Sequence, residues 1–253
     1  MKNWGFKLLI GVLFVTFAFG GVAMAQATKQ AKETTKTAKK PVDMAIIVVD
    51  LQADFTKAKK GSLAVEGTDD AYVKSVADAT AKLKAAGFPI YATQDWHPAT
   101  HASFFTNHQG KKPFDMITLH GKDQILWPPH CVQNTPGAQI LLDTKLFNAT
   151  VKKGMDARYD SYSGFQDDGG KKTDMDKILK KAGIKKVVVY GIATDYCVKA
   201  TAIDATAAGY KVIMVKNLSK GVAPETSAKA LDEMQAKSIT VIEDLDIAKI
   251  KGM

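Results

Sequence analysis

The sequence predicts an α/β domain in three layers, in which helices cover both faces of a mainly parallel central sheet. Short apolar runs alternate with longer amphipathic segments from residue 44 onward, and no internal repeat is present. The overall balance of 46% apolar and 24% charged residues fits an ordinary globular domain and excludes a disordered or collagen-like chain. Strands that alternate with helices imply right-handed crossovers, and such crossovers join parallel strands.

Each element follows from its own pattern. Residues 45–49 form an apolar run without polar breaks, which is typical of a strand buried on both faces. Residues 71–86 have helical periodicity and stop at Gly87. The same alternation continues to the end of the chain. It predicts further strands at 88–92, 149–153, 186–192, 211–215 and 239–242, and further helices at 173–182, 195–208 and 224–236.

The stretch 94–148 does not follow this alternation of strands and helices, and it carries many of the prolines and aromatic residues. An irregular stretch of this size inside a compact domain is usually functional. Ligands of open parallel sheets bind beyond the carboxyl ends of the strands. We therefore expect the site at the residues close to those ends, which are Asp50, Asp95, Lys153 and Cys197.

The first 25 residues predict a secretory signal peptide. They begin with Lys2 and Lys7, run uncharged from Leu8 and end in an Ala-Met-Ala site. An uncleaved membrane anchor is the alternative, since residues 8–28 are about as long as a membrane span. Cleavage would leave no membrane span in the mature chain. In either case the domain at 43–253 is expected to be periplasmic or secreted, in an oxidising compartment.

The formal net charge of +9 is concentrated near the start of the chain. Two of these charges belong to the predicted leader, and residues 26–42 hold five lysines against Glu33. The rest of the chain is left with only about +3, so we do not predict nucleic-acid binding. We expect 26–42 to be a flexible basic linker, with contact to an acidic surface as the alternative.

The histidines predict a metal site, because all five fall between residues 97 and 130. Asp95 and His97 are two residues apart, and in an extended chain such side chains point the same way. His130, on a proline-fixed turn, is the third candidate ligand. This set suits a divalent ion that keeps water, such as Zn²⁺ or Fe²⁺, and surface or hydrogen-bonded histidines are the alternative. Of the rest, His101 could be a fourth ligand or support the ligands, and His108 and His120 are expected at the surface.

Cys197 is a candidate nucleophile, since it lies where a predicted strand turns into a helix. The positive end of a helix favours a thiolate, and its free N–H groups can hold an oxyanion. A buried core cysteine or a disulfide with Cys131 is the alternative. Asp50 as base and Lys153 as cation would complete an amide-hydrolysing triad. Taken singly, Asp50 could instead cap a helix and Lys153 could be a surface lysine.

Five stretches together point to a known family. They are VDLQADF at 49–55, TQDWHP at 93–98, WPPHCVQ at 127–133, DSYSGF at 160–165 and GIATDYCV at 191–198. Over residues 43–245 they resemble, in the same order, the nicotinamidase/pyrazinamidase branch of the isochorismatase-like cysteine hydrolases. The resemblance implies that family's Rossmann-like fold. The leader and the basic linker lie outside the family pattern, and loop 104–126 has no residue-by-residue match.

The resemblance implies a mechanism for hydrolysis of nicotinamide. Asp50 takes the proton of Cys197, Lys153 helps to hold the ionised pair, and the thiolate attacks the carboxamide carbon. The oxyanion is bound by the N–H groups of Ala193 and Cys197, which the family presents through a cis peptide, here Ile192–Ala193. Ammonia leaves, and water then hydrolyses the thioester to nicotinate.

The resemblance also implies a metal ion and a small-molecule pocket. The ion is held by Asp95, His97 and His130 and binds the pyridine nitrogen; Zn²⁺ is expected, with Fe²⁺ or Mn²⁺ as alternatives. Nicotinamide and pyrazinamide are the expected substrates, and a homo-oligomer is left open. Two other hypotheses are a related cysteine hydrolase of another amide or carbamoyl compound, and an exported binding protein with a disulfide. The residues expected to wall the pocket are Phe55, Trp127, Tyr162 and Tyr196.

Overall fold

The computed structural model of the protein describes Met1 and residues 42–253. The predicted leader and the predicted basic linker therefore lie outside the described residues, apart from Met1 and Val42. Among the helices that are described, none combines the length and the apolar character needed to cross a membrane.

Strands and helices alternate along the described chain as the sequence predicts. In chain order they are β1 Met44–Val49, α1 Asp70–Ala85, β2 Ile90–Asp95, β3 Met116–Leu119, β4 Lys122–Ile125, β5 Ala149–Lys153, α2 Met175–Lys181, β6 Lys186–Gly191, α3 Lys199–Ala207, β7 Lys211–Val215, α4 Pro224–Ala236, β8 Thr240–Ile242 and α5 Ile247–Gly252.

The central sheet has six parallel strands in the order β5-β2-β1-β6-β7-β8. The chain builds outward from β1 to β2 and β5 on one side, then returns to β6 on the other side. This reversal opens a crevice beyond the carboxyl ends of β1 and β6, where open α/β sheets bind ligands. The predicted three-layer fold with a parallel sheet is confirmed.

Helices cover both faces of the sheet. All six residues of β1 are buried, which explains why its sequence is apolar without alternation. Successive residues of β1 belong to opposite layers, as the two-residue repeat of a strand requires. One layer packs Ile46 and Val48 with α1 and α5, through residues such as Leu83 and Ile250. The other packs Ile47 and Val49 with α2, α3 and α4, through residues such as Leu179, Ala202 and Met234.

The stretch 94–148 contains a two-stranded antiparallel hairpin of β3 and β4, which the sequence pattern does not predict. Its turn is His120-Gly121, and both residues have positive φ, 50° and 77°. Tight hairpins require such turns, but Asn-Gly is the usual sequence signal and His-Gly is not. Three of the four residues of β4 are polar, so no apolar alternation marks this strand.

Two predicted elements differ at their ends. The helix predicted at 195–208 begins with a π-helical turn, Thr194–Val198, before α3 continues. The strand predicted at 88–92 runs instead from Ile90 to Asp95 and so carries Asp95 to the edge of the sheet. The short helix α5 is not predicted; it begins at its cap Asp246 and buries only Ile250. The remaining bounds agree to within a few residues.

Candidate active site

Four side chains from distant parts of the sequence meet at the carboxyl edge of the sheet. Asp50 follows β1, Asp95 ends β2, Lys153 ends β5 and Cys197 lies in the π-helical turn after β6. All four are buried. A cavity opens beside them and is lined by both Asp95 and Cys197. This is the edge at which the sequence predicts the site.

Lys153 contacts the other three side chains of this cluster. Its Nζ lies 3.0 Å from Asp50 Oδ2 and 2.5 Å from Asp95 Oδ1. It also donates to the Ser161 carbonyl at 2.7 Å and to Cys197 Sγ at 3.4 Å. Burial opposes the charge of Lys153, but the two carboxylates outweigh it and raise the pKa of this ammonium well above its usual value. Lys153 is therefore a permanent buried cation, not a surface lysine.

Asp50 is held so that one of its two oxygens stays available. Its φ is +45°, and its own N–H donates to Thr93 Oγ1 at 3.2 Å. The Thr93 hydroxyl in turn donates to Asp50 Oδ1 at 2.6 Å. Oδ2 is buried and close to Lys153 but accepts no hydrogen bond of normal geometry from the described residues. Burial raises the pKa of Asp50 to about 6 against the opposing charge of Lys153. At neutral pH the carboxylate is therefore an ionised acceptor.

Cys197 is a thiol at rest. Burial raises its pKa well above the usual value, although Lys153 opposes this shift. In the resting site the helix-terminus effect that the sequence predicts therefore acts against the effect of burial. The sulfur of Cys197 lies within 4.8 Å of one oxygen each from Asp50 and Asp95. A carboxylate that can take the proton of the thiol is therefore close to it. Cys131 and Cys197 are both free, and the disulfide alternative is not found.

The turn that carries Cys197 offers a backbone donor to the pocket. The Ile192–Ala193 peptide is cis, as the resemblance implies, and Ala193 lines the cavity. The N–H groups on either side of Ala193 donate to the carbonyls of Val49 and Lys220. Within the described part of the chain, the Ala193 N–H itself donates no hydrogen bond. It can therefore donate a hydrogen bond to a developing oxyanion.

Asp95, His97 and His130 form a second group whose donor atoms lie within 4.8 Å of one another. Nδ1 of His97 lies 3.0 Å from the Gly154 carbonyl, and Nδ1 of His130 lies 2.8 Å from the Pro128 carbonyl. A carbonyl can only accept, so each Nδ1 carries the hydrogen and each Nε2 is left as a ligand. Two imidazoles and one carboxylate fit a divalent ion that keeps open positions.

The charge states of two members of this group, Asp95 and His130, agree with metal binding. Burial opposes ionisation of Asp95, but Lys153 and His97 hold the pKa of its carboxyl well below the usual range. Burial, together with the neighbouring His97, lowers the pKa of His130 to about 4. Asp95 and His130 therefore present an anionic carboxylate and a neutral imidazole at pH 7, the forms that bind metal ions. Burial opposes the charge of His97, but Asp95 outweighs it and raises the pKa of this imidazole, so a metal ion competes with a proton there.

His101 supports the ligands and is not itself placed as one. Its ring packs against that of His97, with centroids 4.4 Å apart and ring planes tilted by 58°. Its Nδ1 is 2.8 Å from Ser103 Oγ and its Nε2 is 3.1 Å from the Tyr159 carbonyl, so both nitrogens are engaged. Of the two histidines expected at the surface, His120 is exposed, whereas His108 is half-buried with Nε2 2.7 Å from the Ala102 carbonyl.

The cavity has aromatic walls. Trp127 Nε1 donates to Tyr162 Oη at 3.1 Å, and the Trp127 and Tyr196 rings meet edge to face with centroids 5.1 Å apart. Phe55 lies against the His130 ring at 5.3 Å. All four aromatic residues expected to wall the pocket therefore line it. An aromatic slot that ends at a metal-binding group can hold a flat heteroaromatic ring.

Sequence reasoning missed three residues that build the site. Thr93 fixes Asp50, as described above. Gln52 clamps Asp95, since its Nε2 donates to the Asp95 carbonyl at 2.8 Å and its Oε1 accepts the Asp95 N–H at 2.7 Å. Asp160 lines the cavity and accepts hydrogen bonds from Gln124 and from the Ser161 N–H. Each lies within one of the five family-like stretches, which was the available signal.

Another residue of the five stretches, Asp195, holds the backbone of the site in place. Asp195, in the turn before Cys197, accepts the N–H groups of Val222 at 2.9 Å and Ala223 at 3.3 Å. It also accepts the Thr226 hydroxyl. Asp195 therefore ties the turn that carries Cys197 to the start of α4.

Comparisons with known proteins agree with this geometry. The isochorismatase domain family matches residues 44–244. The nicotinamidase of Escherichia coli (strain K12) is 41% identical over 217 residues, which cover 82% of this chain and 98% of that protein. A solved yeast nicotinamidase bound to the inhibitor nicotinaldehyde has a TM-score of 0.74 and 35% identity, covering 79% of this chain and 100% of that one. The pyrazinamidase of Pyrococcus horikoshii in complex with zinc has a TM-score of 0.66 and 38% identity, covering 80% and 99%.

Proposed function

The chain belongs to the isochorismatase family, and we propose that it is a nicotinamidase, an amidohydrolase that converts nicotinamide to nicotinate and ammonia. We propose pyrazinamide as a second substrate. The observation that carries the proposal is the position of Lys153. Its ammonium contacts Asp50 and Cys197 on one side and Asp95 of the metal-binding group on the other. A nucleophile and an anchor for the substrate ring therefore share one pocket.

In the first half of the reaction, Asp50 Oδ2 takes the proton of Cys197 as the sulfur bonds to the carboxamide carbon. The carbonyl electron pair moves to oxygen, and the N–H groups of Ala193 and Cys197 donate hydrogen bonds to the oxyanion. Lys153 stabilises the negative charge that passes between carboxylate and sulfur. The C–N bond then breaks, and Asp50 gives the proton to the departing nitrogen, so that ammonia and a thioester result.

In the second half, Asp50 is again the base. It takes a proton from a water molecule whose oxygen bonds to the thioester carbon. The C–S bond breaks, the proton returns to the sulfur of Cys197, and nicotinic acid ionises in solution. The same oxygen, Asp50 Oδ2, serves both halves. This explains why Thr93 holds the other oxygen and leaves Oδ2 free of a formed hydrogen bond.

We propose that Asp95, His97 and His130 hold Zn²⁺. Their two nitrogens and one oxygen are typical zinc donors, and the Pyrococcus horikoshii relative was solved in complex with zinc. The ion supplies a Lewis acid to which the ring nitrogen of the substrate can bind. Metal analysis of the purified protein tests the identity of the ion, with Fe²⁺ or Mn²⁺ as the results that would replace zinc.

Ammonia release by the zinc-loaded mature protein tests the function. Nicotinamide and pyrazinamide should both be hydrolysed. Benzamide, which has the same amide but no ring nitrogen, should react much more slowly because nothing anchors its ring. Ammonia from other small amides and none from nicotinamide would overturn the proposal in favour of a related cysteine hydrolase.

We also propose that the enzyme is exported. Support comes from the basic start, the apolar run and the Ala-Met-Ala site of residues 1–25. Cell fractionation with N-terminal sequencing tests this. A mature chain in the periplasm or medium that begins at Gln26 is the expected result. A full-length chain in the cytosol would contradict it, and a full-length chain in the membrane fraction would show an uncleaved anchor.

A further inference from the structure

We propose that Asp54 is a positioning residue for the metal-binding His130 and so sets the affinity of the site for a divalent cation. The inference rests on the metal site of the proposed function. Asp54 lies in the short 3-10 turn Ala53–Phe55 that follows β1. It is neither one of the ligand candidates nor one of the residues that line the cavity.

The main contact is a hydrogen bond to the residue next to the ligand. Asp54 Oδ2 accepts the N–H of Cys131 at 2.7 Å. Cys131 has a φ of +46°, a left-handed conformation that a residue with a side chain adopts only at a cost. A charge-assisted hydrogen bond at this N–H stabilises that conformation. The direction in which His130 leaves the backbone therefore depends on Asp54.

A second set of contacts holds the same loop from both sides. The Ser62 hydroxyl, on the loop that follows the Asp54 turn, donates to the Pro129 carbonyl at 2.8 Å. On the other side, a Cβ added to Gly137 would lie 2.0 Å from Asp54 Oδ2. The carboxylate therefore packs directly against the backbone of Gly137. The loop between Pro129 and Gly137 is therefore held by Ser62 before His130 and by Asp54 after it, and the Ser62 N–H itself donates to Asp54 Oδ1 at 3.5 Å.

Phe55, the neighbour of Asp54, completes the support. Its ring lies 5.3 Å from the His130 ring, while His130 Nδ1 donates to the Pro128 carbonyl at 2.8 Å. Groups that orient a metal ligand commonly change metal affinity by about 10–100-fold when they are removed. Asp54 acts one step further out, through the backbone that carries the ligand.

The test is the zinc dissociation constant, measured by competition with a chromophoric chelator in the absence of substrate. Asp54→Ala should weaken zinc binding by about 10-fold, the lower end of that range, because Asp54 acts through the backbone and not on the His130 ring. Asp54→Asn keeps an acceptor for the Cys131 N–H but loses the charge, so its loss should be smaller. Asp69→Ala is the matched control, because Asp69 caps α1 through the Tyr72 N–H and is not a member of the site.

Kinetics separate positioning from catalysis. At saturating zinc, kcat of Asp54→Asn on nicotinamide should approach that of the wild type, because His130 is then held by the ion. Equal zinc affinity in the wild type and both Asp54 variants would overturn the inference. An equal loss in Asp69→Ala would also overturn it, since the effect would then be general destabilisation. Wild-type protein that binds zinc but does not hydrolyse nicotinamide would overturn the proposed function and leave this inference standing.

Discussion

At the scale of single residues, burial sets the protonation states from which the reaction starts. Burial keeps the thiol of Cys197 protonated and raises the pKa of Asp50 to about 6, while Lys153 stays charged. The resting site is therefore a thiol beside a carboxylate, not a preformed thiolate. The proton has to move during the attack, and the position of Asp50 Oδ2 decides whether it can.

These pKa shifts predict the acid limb of the pH profile. Asp50 must be ionised to act as a base, so kcat/KM on nicotinamide should fall as the pH drops through about 6, the value to which burial raises its pKa. The apparent pKa of this acid limb belongs to the coupled Asp50–Cys197 pair and not to either group alone. Steady-state kinetics between pH 5 and pH 8, on the order of ten points, would resolve it. A flat profile through this window would contradict the role of Asp50.

Thr93 should shift that limb. Its hydroxyl donates to the ionised form of Asp50, which lowers the pKa of this carboxyl. Thr93→Val removes the donor, so the Asp50 pKa should rise and the acid limb should move to higher pH. Thr93→Ser keeps the hydroxyl and should keep the wild-type limb. If both variants lose activity without any shift of the limb, Thr93 serves only in packing.

At the scale of elements, the end of β5 shows why the chain needs a glycine beside the metal-binding group. Gly154 has a φ of +64°, and a Cβ there would lie 2.3 Å from His97 Cε1. The Gly154 carbonyl also accepts the His97 Nδ1–H. The end of the strand therefore both orients the ligand and leaves space for its ring.

The consequence can be measured with two alanine variants. Gly154→Ala and Gly183→Ala both place a side chain at positive φ, which costs roughly 1–2 kcal/mol of unfolding free energy. Gly183 has a φ of +73° with open space around its Cβ position, so it controls for backbone strain. Zinc should raise the melting temperature of the wild type and of Gly183→Ala. It should raise that of Gly154→Ala much less, because His97 is displaced. Equal zinc responses would show that the contact with His97 does not matter.

The π-helical turn after β6 is a second element that shapes the site. Hydrogen bonds from the Val222 and Ala223 N–H groups to Asp195 tie the turn to the start of α4. Sequence periodicity predicts a helix there but does not distinguish a π turn from an α turn, since five residues are too few to separate the two repeats. Such turns often occur at functional sites, and this one carries the nucleophile.

At the scale of the whole molecule, most of the fold follows from the sequence. Buried parallel strands need continuous apolar runs, and β1 and β6 show them. The meeting of Asp50, Asp95 and Lys153 was also predictable, because the carboxyl ends of parallel strands share one edge. The hairpin of β3 and β4 was not, because its polar strands and His-Gly turn carry no pattern that local rules detect.

What could not be predicted depends on contacts between distant segments. Asp54 reads as an ordinary acidic residue after a strand, and only the folded chain brings it to the Cys131 N–H. The burial that opposes ionisation of Cys197 could not be predicted for a similar reason. A local pattern shows the helix terminus but does not show that folding removes the thiol from water.

The most direct test of the central claim is the activity of Cys197→Ala beside Cys131→Ser, each loaded with zinc. Both residues are buried free thiols, but only Cys197 lies against Lys153 and the cavity. Cys197→Ala should release no ammonia from nicotinamide while still folding and binding zinc, and Cys131→Ser should stay active. Turnover by Cys197→Ala at the wild-type rate would contradict the account.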